Sequence, residues 1–241
     1  MLITSKSNPV IKSVQSLADK KFRKQLRQYI VEGLKPVKEC IAAGCKIERI
    51  ICIEQLEGEF AGATVVSESV FKSISLEKTP QGVLAVVAIP HNGLKPPEKP
   101  CLLLDCIQDP GNLGTIIRTA NAAGYGEIYA VNCTDPYSPK AVRASMSGIF
   151  FVEVRQGTRA EVLAALDGVP LICADMNGKN IFSFKPPEKF CLCIGNEGSG
   201  ISEDIKLLAT DKVKIPMRET CESLNAAVSA GIAMYALRKN N

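Results

Sequence analysis

The chain of 241 residues contains one histidine, no Cys-x-x-Cys pair, and no apolar run of the roughly 18 residues that a membrane-spanning helix requires. The histidine, His91, lies in a stretch rich in proline and charge, so Ser-His and Cys-His nucleophile arrangements have no base in the second half of the chain. The first residues also lack the basic-then-apolar plan of a signal peptide. We therefore expect a globular cytoplasmic protein that neither enters a membrane nor works as a histidine-dependent hydrolase.

The ten cysteines are scattered without the spacing of a zinc site or a disulfide framework. Most lie inside apolar runs, such as 51–53 and 190–194, where a free thiol behaves as a small buried hydrophobe. Cys221 differs because it lies in a polar loop, but nothing in the sequence gives that thiol a role. We expect reduced cysteines and no metal site.

Two common nucleotide-binding motifs are also missing. No G-x-G-x-x-G follows the strand that begins at Cys101, and the glycine-rich run 195–200 lacks the Lys-Ser/Thr pair of a phosphate-binding loop. An enzyme that uses NAD, a nucleoside triphosphate or another nucleotide on a small molecule is therefore disfavoured.

Positive charge is concentrated at the start of the chain. Residues 1–49 hold eleven Lys/Arg against four Asp/Glu, a net charge of +7, whereas the remainder holds 18 against 21. The cluster 20–29 mixes cations with aromatic side chains, a combination that suits RNA or DNA, although a solvated basic face has the same composition. Nucleic acid is the leading partner class.

A stretch rich in proline and glycine at 91–100 reads as a linker between a domain over 1–90 and a domain over 101–241. Before it, the pattern predicts helices over 10–17 and 22–44, with breaks at Gly33 and Gly44, and strands over 47–53, 64–66 and 82–89. The first domain is therefore a small α/β unit.

After the linker, strands and helices alternate, which predicts a mostly parallel sheet covered on both faces. The predicted strands are 101–106, 128–131, 151–154, 171–174, 190–194 and 212–215. The predicted helices are 113–123, 138–147, 159–166, 202–208 and 223–238. The last helix is rich in small residues, which permits close approach by neighbouring backbone.

Three strand-to-helix turns in this half each carry an asparagine: 109–118, 194–202 and 215–227. In open α/β sheets, ligands bind beyond the carboxyl ends of the strands, so the three turns predict one composite site. Glycine lets backbone groups approach a ligand there, and the turns add amides, a carboxylate, a hydroxyl and the guanidinium of Arg118.

These turns resemble the three signature motifs of the SpoU family of SPOUT RNA methyltransferases. The first reads Asn112-x-Gly114-x-x-x-Arg118-Thr119-Ala120, the second Ile194-Gly195-Asn196-Glu197-Gly198-x-Gly200-Ile201, and the third Ile215-Pro216-Met217 with Ser223-Leu224-Asn225-Ala226-Ala227-Val228-Ser229. The resemblance covers roughly residues 100–238. The segments 7–12 and 29–33 also look like the small RNA-substrate-binding domain that precedes the catalytic domain in many members.

The resemblance implies methyl transfer from S-adenosyl-L-methionine to a ribose 2′-hydroxyl of structured RNA, with ribosomal RNA favoured over transfer RNA. It also implies a sheet whose C-terminal part forms a deep trefoil knot, an exception among chain topologies. The expected cofactor-binding residues are Gly195, Asn196, Ile215, Met217 and Leu224.

The resemblance further implies that Arg118 contacts the ribose-phosphate, and that Asn112, Glu197, Ser223 and Asn225 complete the catalytic group. Arg118 and Glu197 are alternatives for the proton acceptor. A guanidinium normally stays charged, which speaks against Arg118 in that role. Such a reaction depends mainly on positioning and requires neither metal nor protein nucleophile.

Family members are homodimers in which one subunit completes the other's site. A catalytically silent RNA-binding protein is the main alternative, and the five retained polar residues argue against it.

Overall fold

The computed structural model describes residues 2–238. Within that range the strands form a mixed four-stranded sheet, followed in the chain by a six-stranded sheet in which all neighbours are parallel. The predicted α/β class, with a mostly parallel sheet preceded by a small domain, is confirmed. The trefoil knot and the linker boundaries at 91 and 100 stay predictions.

The N-terminal domain has sheet order β1-β4-β2-β3. Its elements are α1 (Pro9–Ser16), α2 (Lys20–Leu26), β1 (Gln28–Glu32), α3 (Leu34–Ala42), β2 (Ile47–Ile53), a 3₁₀ helix (Glu54–Glu59), β3 (Thr64–Val66), α4 (Glu68–Ile74) and β4 (Val83–Ala88). One face of the sheet packs against α1 and α4, where Ile11, Val14 and Phe71 are buried.

The helical pattern predicted over 22–44, with a break at Gly33, is wrong over residues 28–32, where strand β1 interrupts it. Arg27 adopts a left-handed conformation (φ 51°) that ends α2. The next residues pair antiparallel with β4 and bury Tyr29, Ile30 and Val31. β-Branched and aromatic side chains favour this half-buried pleated environment, so tertiary packing selects a strand where the helix-like pattern continued.

The C-terminal domain has sheet order β10-β8-β9-β5-β6-β7. Its elements are β5 (Cys101–Asp105), α5 (Pro110–Ala123), β6 (Glu127–Val131), α6 (Pro139–Ala144), a 3₁₀ turn (Gly148–Phe150), β7 (Glu153–Gly157), α7 (Arg159–Ala165), β8 (Leu171–Asn180), β9 (Cys191–Ile194), α8 (Glu203–Leu207), β10 (Asp211–Lys214) and α9 (Ala226–Leu237). Each strand and helix predicted for this domain overlaps one in the structure. The last helix begins at Ala226, not at 223, because Asn225 caps it.

Strand β8 is longer than the predicted 171–174. Its pairing with β10 jumps from Cys173 to Lys179, so residues 174–178 bulge out of the ladder. Gly178 lies so close to the backbone of Val213 that a Cβ would overlap with it, which explains the glycine at the return. The bulge carries Asp175 and Met176 towards the end of the sheet where the site lies.

Strands β5 and β9 are adjacent at the centre of this sheet, and the chain order reverses between them. Every residue of both strands is buried. A crevice therefore opens beyond their carboxyl ends, which is the position that doubly wound sheets use for ligands.

Candidate active site

The first turn begins helix α5 and fixes Asn112 in its first helical turn. Asp109 is the N-cap, and its Oδ1 accepts a hydrogen bond of 2.8 Å from Asn112 N. Lys140 Nζ donates to Asp109 Oδ2 at 2.7 Å. The Lys140 hydrogen bond first, and the Asn112 amide second, lower the pKa of Asp109 from its ordinary 3.8.

The second turn is closed by its own backbone and by the side chain of Asn196. A Cβ at Gly195 would overlap with the backbone of Gly200, so only glycine permits this approach. Asn196 Oδ1 accepts hydrogen bonds from Gly198 N at 2.9 Å and from Ser199 N at 3.0 Å, and Asn196 Nδ2 donates to Cys106 O at 2.9 Å. The amide of Asn196 therefore shapes the turn and ties it to the end of β5.

The third turn ends at the N-cap of α9. Asn225 Oδ1 accepts from Ala227 N at 2.9 Å and from Val228 N at 3.3 Å, which satisfies two amides at the start of the helix. The cap holds the Asn225 side chain in one orientation and leaves its Nδ2 group available as a donor.

A chain of hydrogen bonds joins all three turns. Asn225 Nδ2 donates to Asn112 Oδ1 at 3.0 Å, and Asn112 Nδ2 donates to Glu197 Oε1 at 2.6 Å. Asn196 Nδ2 also lies 3.3 Å from Glu197 Oε2. Both carboxylate oxygens thus receive amide donors, which hold the carboxylate group in place. Residues more than 100 positions apart in sequence meet here, as the three-turn pattern predicts.

A cavity of about 910 Å³ lies beside this chain of hydrogen bonds. Its lining includes all five residues predicted to hold the cofactor, namely Gly195, Asn196, Ile215, Met217 and Leu224, together with Glu197 and Ser223. The volume lies within the range of about 300–1,000 Å³ that small-molecule sites occupy. The structure therefore gathers the predicted cofactor residues into one site.

The lining of this cavity fits S-adenosyl-L-methionine. Apolar side chains, including Ile194, Val213 and Ile215, provide a surface for a purine. Four acidic residues against two basic ones face the same space: Asp175, Glu197, Glu219 and Glu222 against Lys214 and Arg218. An excess of carboxylates complements a cationic sulfonium and an ammonium group.

Arg118 lies apart from the other predicted catalytic residues of the same chain. It is exposed and lines a different cavity, between the N-terminal domain and helix α6, which shares no lining residue with the first. It lies six positions after Asn112 along α5, a rise of about 9 Å that also turns the two side chains to different faces. One chain therefore brings Asn112, Glu197 and Asn225 into contact and places Arg118 elsewhere.

Several supporting residues went unrecognised in the sequence. Asp105 is 1% exposed at the end of β5, and its Oδ2 accepts from Ser202 N at 2.8 Å, which fixes the segment after the second turn. Arg159 Nη2 lies 3.4 Å from the other oxygen of Asp105. A carboxylate at the last position of an otherwise apolar strand was the available signal for Asp105. The bulge with Asp175 and Met176 had no comparable sequence signal.

Within residues 2–238, no group of three or more His, Cys, Asp or Glu side chains has an arrangement that would hold a metal ion. No helix in the same range has the length and apolar character to cross a membrane. The ten cysteines lie in this range as free thiols. Cys221 lines the larger cavity, and its Sγ lies 3.4 Å from Ser223 O.

Two family models match the chain, one over the N-terminal domain and one over the C-terminal domain. The model of the SpoU rRNA Methylase family matches residues 99–235, and that of the MRM3-like substrate binding domain matches residues 8–85. The first match covers more than half of the chain and includes all three turns.

Characterised relatives match over nearly the whole length. The chain is 31% identical to the 23S rRNA (guanosine(2553)-2′-O)-methyltransferase of Bacillus subtilis, over 98% of both chains. It is also 31% identical to the 23S rRNA (uridine(2479)-2′-O)-methyltransferase of Streptomyces viridochromogenes, over 91% of this chain and 85% of the relative.

The fold is shared with a solved structure that contains the expected cofactor. The AdoMet-bound rRNA methyltransferase from Sinorhizobium meliloti superposes with a TM-score of 0.87 and 31% identity, over 98% of this chain and 96% of that one. These findings confirm the predicted family and S-adenosyl-L-methionine as the cofactor. The chain is a member of the SpoU rRNA methylase family.

Proposed function

We propose that this protein transfers a methyl group from S-adenosyl-L-methionine to a ribose 2′-hydroxyl of ribosomal RNA. The observation that carries the proposal is the Asn225–Asn112–Glu197 chain of hydrogen bonds at the edge of the larger cavity. A protein that only bound RNA would have no chemical use for a carboxylate oriented in this way. Relatives named for 23S rRNA support ribosomal over transfer RNA as the substrate.

S-adenosyl-L-methionine supplies a methyl group bound to a cationic sulfur, and that sulfur leaves as a thioether when the methyl group is transferred. The protein must therefore align the ribose 2′-oxygen with the methyl group and accept the proton of the 2′-hydroxyl. Glu197 is the proton acceptor in this proposal, because amide donors hold its carboxylate in place and it borders the cavity. Asn112 and Asn225 orient Glu197, while Ser223 lines the same space. The turns supply the backbone groups that bind the cofactor.

Arg118 binds the phosphate next to the reacting ribose in this proposal. A guanidinium stays charged and presents donors in a fixed fork, which suits a phosphate better than it suits proton uptake. In the described part of the chain, the guanidinium of Arg118 forms no ion pair or hydrogen bond with another residue, so its donors are available.

A homodimer accounts for the separation between Arg118 and the larger cavity. If two copies pack through the outer faces of α5 and α9, Arg118 of one copy reaches the cavity of the other. Val228 and Tyr235 on α9 are 50% and 45% exposed, and apolar side chains of this kind suit a subunit interface.

Cytoplasmic action is part of the same proposal, because ribosomal RNA is the proposed substrate and the cysteines are free thiols.

Methyl transfer is tested with labelled S-adenosyl-L-methionine and total RNA from cells that lack the protein, followed by mapping of 2′-O-methylation. We expect label in ribosomal RNA at one site or a few. Arg118→Ala should lose transfer and keep cofactor affinity, as measured by calorimetry. No cofactor binding and no transfer to any RNA would leave the silent RNA-binding alternative. Transfer to transfer RNA alone would correct the substrate class.

The shared site is tested by co-expressing two inactive variants under separate tags, Arg118→Ala and Glu197→Gln. If Arg118 serves the partner's cavity, each mixed dimer retains one intact site and the random mixture recovers about a quarter of wild-type activity. If both residues serve the same chain, no mixed dimer has an intact site. Activity in the mixture at the level of the separate variants therefore rejects the shared site.

A further inference from the structure

The second cavity lies between the two domains and has a volume of about 550 Å³. The N-terminal domain contributes Lys35 and Gln81, and the C-terminal domain contributes Arg118, Met146 and Phe150. The volume lies in the range of small-molecule sites, at about 300–1,000 Å³. We call it the interdomain cleft.

Contacts across the domain boundary hold the walls of the interdomain cleft. The Ser147 hydroxyl donates a hydrogen bond to Glu39, and Arg143 pairs with the carboxylate of Glu77. Arg143 Nη2 also donates to Leu76 O at 3.3 Å. The cleft is therefore formed before a ligand arrives, which reduces the ordering cost of binding.

One part of the interdomain cleft is apolar and accessible. Met146 is 58% exposed, and half-buried Phe150, four positions later in the sequence, lines the same cleft. Met146 and Ser147 both adopt left-handed backbone (φ 43° and 67°), which forms the sharp connection between α6 and the 3₁₀ turn. A thioether and an aromatic face together form a platform on which an unstacked base can pack.

The rest of the cleft carries donors and three carboxylates, those of Glu32, Glu39 and Glu77, each of which already accepts from a protein donor. The fork of Arg118 has no protein partner in the described range, and the Lys35 side chain is 77% exposed, with its Nζ 3.7 Å from a Glu39 oxygen. Gln81 Oε1 accepts from Leu34 N at 2.9 Å, an arrangement that leaves the Gln81 Nε2 donors for a ligand. Cations beside an apolar platform, with an amide at the edge, match a phosphate, a base face and a base edge.

We propose that the interdomain cleft binds one unstacked nucleotide of the RNA substrate. Its base packs on Met146 and Phe150, its phosphate is held by Arg118 and Lys35, and Gln81 contacts the base edge. The inference rests on the proposed function, since Arg118 is assigned there to the phosphate beside the reacting ribose. Similar relatives are named for guanosine and for uridine, so base choice varies within the family and requires residues such as these.

Methionine methyl signals test occupancy of the cleft directly. The chain has five methionines, and with ¹³C-labelled methyl groups Met146 reports the interdomain cleft, Met217 and Met176 report the larger cavity, and fully buried Met234 is the internal control. Methionine-to-leucine variants assign the signals. We expect S-adenosylhomocysteine to shift Met217 and Met176, and transcribed 23S rRNA fragments to shift Met146.

Kinetics give the second test, with a matched control. Met146→Asp places a negative charge on the platform, whereas Leu207→Asp makes the same kind of change at a residue that is 82% exposed on α8, outside both cavities. We expect Met146→Asp to raise the KM for RNA at least tenfold without changing the KM for the cofactor, and Leu207→Asp to leave both within twofold.

The outcomes separate this proposal from the proposed function. Equal KM values for RNA in the two aspartate variants, with methyl transfer intact, overturn the proposal that the interdomain cleft binds a nucleotide. The proposed methyltransferase activity is then unaffected. If the wild type transfers no methyl group, the Met146 signal decides: a shift with RNA supports the cleft, and no shift overturns it.

Discussion

Arg23 of the N-terminal domain and Asp135 of the C-terminal domain form a buried ion pair, although 112 positions separate them in sequence. Arg23 Nε and Nη2 donate to Asp135 Oδ2 at 2.9 and 2.8 Å, and Arg23 Nη1 donates to the carbonyl oxygens of Leu17 and Ala18 at 2.7 Å each. The guanidinium is thus satisfied on both sides while only 5% of its side chain is exposed.

Tyr29 and Tyr137 extend this contact between the domains. Their ring centroids are 5.0 Å apart, and both rings are buried. Arg23 and Tyr29 belong to the basic and aromatic cluster that the sequence suggested for RNA, but the structure uses them to dock one domain on the other. Lys20, Lys21 and Lys24 of the same cluster remain exposed and available to a polyanion.

Removal of the Asp135 carboxylate should destabilise the protein strongly. Asp135→Ala leaves the Arg23 guanidinium buried without its counter-charge, and we expect a loss of about 3 kcal/mol in the free energy of unfolding. Urea titration measures it. The control is Glu59→Ala, which breaks the exposed Lys38–Glu59 pair (2.7 Å) and should cost less than about 1 kcal/mol. Equal losses in the two variants would contradict a docking role for the Arg23–Asp135 pair.

Substitutions at Asn225 should separate stability from activity. Asn225→Asp retains a capping oxygen for α9 and loses the Nδ2 donor to Asn112, so we expect near-normal stability and at least a tenfold slower methyl transfer. Asn225→Ala loses both functions and should also cost about 1 kcal/mol of stability. Thermal unfolding and initial rates provide the two readouts. Full activity of Asn225→Asp would show that the amide does not orient the catalytic group.

Alanine substitutions at Gly195 and Gly198, two glycines of one turn, should give different results, because only Gly195 lies against the backbone of Gly200. Gly195→Ala forces the turn apart, and we expect a cost of about 1–3 kcal/mol in stability together with at least a tenfold weaker affinity for S-adenosylhomocysteine. Gly198→Ala is the control, because its nearest non-neighbouring atom would lie 3.6 Å from the new methyl group. Calorimetry compares the two affinities. Unchanged affinity in Gly195→Ala would place the cofactor away from this turn.

The lowered pKa of Asp109 gives a pH-dependent contribution to stability. Since the folded-state pKa lies below the ordinary 3.8, the contribution is present above that value and disappears as the pH falls through the folded-state pKa. Asp109→Asn retains a capping oxygen and removes the charge. The difference in unfolding free energy between wild type and variant should be larger at neutral pH than near pH 3, as urea titrations at both values would measure. A difference independent of pH would contradict the assignment to the carboxylate.

Local patterns identified most of the C-terminal domain because its strands are short apolar runs separated by turn residues. Strand β5 and helix α5 show why: a continuous apolar strand, a capping Asp109 and a closing Gly124 are local signals that tertiary packing had no reason to override. Strand β1 shows the opposite case. Its conformation depends on pairing with β4, more than 50 positions away in sequence, which a local helix-like pattern cannot register.

Motif residues of fixed type at fixed spacing are local properties of a chain, so the family, the cofactor and the three turns follow from the sequence alone. Which of those residues meet depends on the fold of the whole chain. It joined Asn112, Glu197 and Asn225 by hydrogen bonds, and it placed Arg118 in the interdomain cleft, because residues six positions apart on a helix point to different faces. It also turned part of the basic cluster into a domain contact, since burial of Arg23 depends on an aspartate that only the fold brings near.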